Sequence, residues 1–176
     1  MAWEVLPSAA IGASIALAGT LVGDVRRDRQ QRARDRYDDR RKYCAEFTAG
    51  LTRALGNLRV IATRGLGDEE RRAAVREAME PIYVAREQVL ISGTSAIVVA
   101  GEDVFHRLVD VRDAVRSGAS LDSVTYHDAY HAFSDALWKF RLAVRADLDE
   151  PVLSPADLDR PDWSDRDRCT VCATRG

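Results

Sequence analysis

Tyr126-His-Asp-Ala-Tyr-His-Ala-Phe-Ser-Asp-Ala-Leu-Trp-Lys-Phe-Arg-Leu-Ala-Val144 is the stretch that decides the fold. Its Tyr126, Tyr130, Phe133, Leu137, Phe140 and Val144 recur at alternating steps of four and three. Those steps return to one side of a helix and make a helix–helix packing seam. Upstream, Ile97, Val98, Gly101, Val104, Phe105, Leu108, Val111 and Val115 mark a second buried face, closed by Ser117-Gly118. Thr94 or Ser95 can cap that helix. Val75, Met79, Ile82, Val89 and Leu90 mark a third face, with Asp68 as its cap and Glu69 and Glu70 favourable in its first turn. Pro81 falls inside this pattern and is expected to kink the helix or leave a carbonyl unpaired. Phe47, Leu51, Leu55, Leu58 and Ile61 mark a fourth, stopped at Gly65-Leu-Gly67.

Four helices with short connections make an antiparallel up-down bundle the economical architecture, over residues 43–148. One local alternative competes. Residues 88–99 can also be read as a β-hairpin around Ser92-Gly93, but its strands would be only about three residues long and marginal in isolation. Residues 149–176 carry three prolines, scattered acids and little periodicity, and read as a disordered acidic tail.

At the other end, Val5 to Gly23 carries no charge, and nine Arg or Lys against five Asp follow between Asp24 and Lys42. The apolar run would rise roughly 28 Å as a helix at ~1.5 Å per residue, close to a bilayer core. Its seven strongly apolar positions favour insertion by roughly 3 kcal/mol, partly offset by Pro7, glycines and hydroxyls. A signal peptide would place basic residues before the apolar core, whereas only Met1-Ala-Trp-Glu4 precedes it. A buried helix of a globular protein is a further reading of the same Ala and Gly content. The preferred reading is a transmembrane anchor over residues 1–23, with a basic helical stalk over residues 24–42. By the positive-inside rule the amino terminus would lie outside the inner membrane and the bundle in the cytoplasm. Gly12, Ala16, Gly19 and Gly23 line one face and fit a small-residue contact for homodimerisation within the membrane. Arg26, Arg27 and Arg29 would face anionic lipid. The interspersed aspartates, and the lack of stacking aromatics before Tyr37, argue against nucleic acid as the partner.

The bulk numbers set outer bounds. At 46% hydrophobic and 31% charged, the 176 residues suit one domain, and exclude wholesale disorder or a polytopic membrane protein. A net charge of −2 gives no global field for nucleic acid. Only Lys42 and Lys139 are lysines, so the arginine preference reflects coding bias as much as phosphate recognition. Three cysteines do not make a disulfide framework and suit a reducing compartment.

The candidate chemistry is sparse. His127 and His131 stand four apart with Asp128 between them, on one helical face as metal ligation requires. A di-iron bundle needs two Glu-x-x-His pairs, and only Asp128-Ala-Tyr-His131 approximates one; Glu102 and His106 are four apart. The expectation is that both histidines pack beside the Tyr126–Tyr130 stripe. Cys169-Thr-Val-Cys172 has the spacing of a zinc half-site or a redox pair. With no second ligand pair in the tail, the expectation is an incidental exposed pair. No phosphate-binding loop, hydrolase elbow, zinc-protease or kinase signature is found.

The Trp3–Gly23 anchor, the Arg26–Lys42 neck and the helical body ending near Leu148 together resemble the uncharacterised single-pass helical proteins of high-GC Gram-positive bacteria. That resemblance implies a bacterial inner-membrane setting, and no activity or site residue. The expected function is a non-enzymatic interaction or scaffold module on the cytoplasmic face, without cofactor, binding an unidentified protein. The alternatives are a metal-dependent bundle enzyme using His106, His127, Asp128 and His131, and a nucleic-acid-binding protein working through the neck.

Overall fold

Periodicity becomes helix throughout. A computed structural model describes residues 5–173, the side chains of residues 5–23 and of Val25 excepted. Four long helices follow one another: α1 (Val5–Ala62), α2 (Asp68–Ser92), α3 (Ser95–Arg116) and α4 (Val124–Asp147). No strand occurs among the described residues. The chain divides into two compact units, residues 1–39 and residues 40–176.

In the first unit the described side chains are polar and largely exposed, Arg26, Arg27 and Arg29 among them. Asp28 and Arg32 pair at 3.3 Å and Gln31 donates to Asp35 at 2.8 Å. Such exposed one-turn pairs support a solvated helix by about 0.2–0.5 kcal/mol each.

The expected single-pass inner-membrane location is corrected. Among the described residues no helix is long and apolar enough to cross a membrane. A span needs about 20 predominantly apolar residues, whereas α2, α3 and α4 are each interrupted by several charged residues. The small-residue face expected of Gly12, Ala16, Gly19 and Gly23 lies outside the described residues.

The second unit is an antiparallel bundle of α2, α3, α4 and the part of α1 from Arg40. Phe47 meets Phe140 edge-to-face at 5.3 Å, fixing α1 against α4. Arg40 donates twice to Asp147, at 3.1 and 2.9 Å, near one end of that pair. Arg59 lies over the Tyr130 ring near the other. Between α2 and α3, Arg86 makes a two-pronged contact with Glu102, both bonds 2.6 Å, and Tyr83 packs on Phe105. All four helices meet at Gly101. A Cβ there would touch Phe47 of α1, Val89 of α2 and Phe140 of α4, all within 3.4–3.7 Å. Those are ordinary packing distances, so Gly101 marks the layer where the four helices come together.

Of the expected core, Phe47, Leu51, Leu58, Val75, Met79, Ile82, Val89, Ile97, Val104, Leu108, Val111, Phe133 and Phe140 are all buried. Leu55, Leu90, Tyr130 and Val144 sit at its margin. Residues 88–99 are two helix ends: Gly93 N–H donates to Val89 and Val98 N–H to Thr94, closing the helical turns on either side. Asp68 is the first helical residue of α2 and Gly67 takes the cap position. α2 runs through Pro81, which lies on its exposed side. Gly118 ends α3 at φ 90°, and the Ala119 N–H reaches back to the Ala114 carbonyl. That left-handed closure is the one glycine does at no steric cost.

The tail expected to be disordered is ordered, and its acids explain how. Asp149, Asp159 and Asp165 adopt positive φ, a conformation Asp tolerates better than most residues. Asp157 accepts from the Ser154 amide and hydroxyl. Asp162 accepts from the Asp165 amide and the Ser164 hydroxyl. Acids that look like a solvating tail in composition are spent on tight turns.

Two outcomes test this packing. Phe133→Ala, at a fully buried seam position, is expected to cost about 3–5 kcal/mol in denaturant unfolding. Tyr126→Phe is expected to be neutral or stabilising by up to about 1 kcal/mol, because the Tyr126 hydroxyl is buried without a partner and burial pushes its pKa up to about 12. Separately, the Arg86 contact lowers the Glu102 pKa below the ordinary 4.5. The contribution of that pair, about 1 kcal/mol, is therefore complete above the ordinary value and lost as pH falls through the lowered one. Glu102→Gln is expected to destabilise at neutral pH, with the gap to wild type closing in strong acid.

Candidate metal centre

A second stripe runs along α4 one residue behind the core seam. His127, His131, Ser134, Trp138 and Arg141 follow the same four–three spacing, rotated by about 100°. This face carries the C-terminal segment, which runs antiparallel to α4 through a 3-10 turn at Arg166–Arg168 into the single turn α5 (Thr170–Ala173). Trp163 stacks on Trp138 with ring centroids 4.6 Å apart, and Arg141 and Arg160 both lie over the Trp138 ring. Ser134 donates to the Trp163 carbonyl at 3.0 Å. His131 Nδ1 lies 2.7 Å from the Ser164 carbonyl. Asp128 accepts from Arg166 at 2.9 Å. Irregular backbone has no ladder of its own to satisfy its carbonyls, and the α4 side chains satisfy two of them.

At the end of this face four candidate ligands converge. One ligand atom from each of His127, His131, Cys169 and Cys172 lies within 4.8 Å of all the others. Among the described residues no other group of three or more His, Cys, Asp or Glu side chains is arranged this way. Each pair is set by local structure: the histidines by one turn of α4, the cysteines by the turn that the Ala173 amide closes onto the Cys169 carbonyl at 2.9 Å. The Cys169 sulfur is 3.2 Å from His127 Nδ1.

A carbonyl only accepts, so His131 Nδ1 is the donor to Ser164 and Nε2 is left as the ring's ligand-capable atom. That Nε2 is buried and makes no well-formed hydrogen bond. Metal-ligating histidines characteristically donate their other ring nitrogen to a carbonyl in this way.

The electrostatics favour a thiolate. The polar contact with the His131 imidazole, then the Cys172 amide and thiol and the Val171 amide, pull the Cys169 pKa down to about 6 against an opposing effect of burial. Burial and the adjacent Cys169 charge push Cys172 upward. Cys44 behaves differently: it is buried in the core, and burial raises its thiol to about 11.

Two imidazoles and two thiols are a zinc donor set, borderline in softness and four in number. Around a tetrahedral ion with bonds of ~2.1 Å to nitrogen and ~2.3 Å to sulfur, the ligand atoms stand roughly 3.3–3.8 Å apart. From a spread of 4.8 Å, closure requires side-chain movements of only about 1 Å.

His127 and His131, expected as packing residues, do pack edge-on against Tyr126 and Tyr130, and they also meet the cysteine pair. Cys169 and Cys172, expected as incidental, supply the facing half of the cluster. Asp128 is outside it, paired with Arg166. His106 is exposed on α3 beside Phe105, and Glu102 is taken by Arg86. The set His106, His127, Asp128 and His131 is therefore not assembled. Sequence reasoning missed the partnership between the two pairs, and the second stripe running from His127 to Arg141 was the signal for it. No protein-family profile matches the chain, and neither a curated protein nor a solved structure resembles it.

The thiol environments predict an order of reactivity. In metal-free protein near neutral pH, iodoacetamide is expected to alkylate Cys169 first, Cys172 more slowly, and Cys44 only on unfolding. The Cys169 rate should fall as pH drops through about 6, where its thiolate is protonated. Site-resolved mass spectrometry reads all three.

Proposed function

We propose that this protein is a zinc-stapled helical bundle, a non-enzymatic interaction module whose C-terminal segment is held on α4 by a Cys2His2 centre. The carrying observation is the convergence of His127, His131, Cys169 and Cys172 within 4.8 Å, with the buried His131 Nε2 making no well-formed hydrogen bond. Histidines at H-x3-H spacing and cysteines at C-x2-C spacing are those of structural zinc sites. Four protein ligands fill a tetrahedral shell and leave no open position for substrate, which supports a structural role over a hydrolytic one. The unidentified protein partner expected from the sequence is part of the same proposal.

The segment needs such a staple. Neither 3-10 turn nor α5 contributes a fully buried residue, so little apolar burial opposes its chain entropy. An ion that binds only the folded form stabilises it by roughly 2.7 kcal/mol at 100 times its Kd.

Protein purified without chelator is expected to carry one zinc per chain by elemental analysis. Cobalt in its place should show tetrahedral ligand-field bands with thiolate charge transfer. His131→Ala and Cys172→Ser are each expected to weaken zinc binding by about 100-fold or more, while the core remains helical by circular dichroism. A chain that takes up no stoichiometric metal would falsify the assignment.

A further inference from the structure

Resting on the zinc reading above, we propose that the centre is also a redox clasp: a hydroperoxide converts the Cys169–Cys172 pair to a disulfide, expels the ion and frees the segment from α4. Three observations carry this. The Cys172 thiol and amide both reach the Cys169 sulfur, so the two sulfurs are already neighbours. They stand three residues apart on one closed turn, a separation of about 5 Å between Cα atoms that a disulfide spans without backbone movement. Both are partly exposed, whereas Cys44 is sealed in the core and does not compete.

The chemistry balances. The Cys169 sulfur attacks one peroxide oxygen; the S–O bond forms, the O–O bond breaks, and the departing oxygen takes a proton. The Cys172 sulfur then attacks the Cys169 sulfur, forming the S–S bond and releasing the second oxygen as water. Two electrons pass from the sulfurs to the peroxide and two protons are consumed. The uncharged disulfide is a poor zinc ligand, and two histidines alone make half a coordination shell.

What then holds the segment is slight. The Trp138–Trp163 stack, Arg160 over the Trp138 ring, the half-exposed Arg166–Asp128 pair and bonds from α4 side chains to backbone carbonyls remain. Exposed ion pairs of this kind contribute about 0–1 kcal/mol. Oxidation is therefore read out as exposure of the second stripe of α4.

The test uses the full-length, zinc-loaded chain, as wild type and as Cys44→Ala, treated with hydrogen peroxide. One zinc per chain is expected to appear on a colorimetric chelator in step with a Cys169–Cys172 disulfide in the peptide map. Tryptic cleavage after Arg166 and Arg168 should quicken by about tenfold or more, and dithiothreitol with zinc should reverse all three changes. Zinc retained under peroxide, zinc released without that disulfide, or a disulfide without faster cleavage each overturns the clasp and leaves the zinc reading standing. A chain that never takes up zinc overturns both.

Discussion

α4 has to pack on two sides at once, and the rest of the second unit depends on that constraint. Its seam of Tyr126, Phe133, Leu137 and Phe140 is buried in the bundle. The stripe one residue behind it, from His127 to Arg141, is covered by the C-terminal segment. Neighbouring residues on a helix differ by about 100° in direction, so two stripes with the same spacing face two different partners. An apolar seam is answered by other helices, which satisfy their own backbones. The mixed stripe is answered by irregular chain, whose carbonyls need donors, and Ser134 and His131 supply them.

The two interfaces rest on different energetics. The bundle is held by area: fully buried Phe47, Phe133 and Phe140, two of which pack beside Gly101. The C-terminal segment buries little and is held by a few directed contacts. A four-ligand ion suits that second case. Each ligand pair is arranged by its own turn, so binding mainly closes the loop from His131 to Cys169, and loop-closure cost grows only slowly with length. The same economy makes the clasp reversible, because loss of two thiolates removes half the coordination and little apolar burial resists release.

The helical elements were legible because their signals are local. Steps of three and four, together with Gly65-Leu-Gly67, Ser92-Gly93 and Ser117-Gly118, mark helices and breaks within a few residues. The C-terminal segment was misread for a physical reason. Prolines and acids report a chain unable to build a core of its own, and this one borrows a helix face instead. Its aspartates form turns at Asp149, Asp159 and Asp165. The charge-free run near the amino terminus suggested a span, while no helix among the described residues is long and apolar enough to be one.

Sequence by itself determined the four helices, their buried faces, and a histidine pair and a cysteine pair at H-x3-H and C-x2-C spacing. These are properties of one turn or one helix, set by backbone periodicity alone. Only the tertiary structure decided that the two pairs face each other. They are separated by the end of α4 and by a segment whose path depends on left-handed aspartates and a Trp138–Trp163 stack. No periodicity reports such a path, because the contacts that fix it lie far apart in the chain.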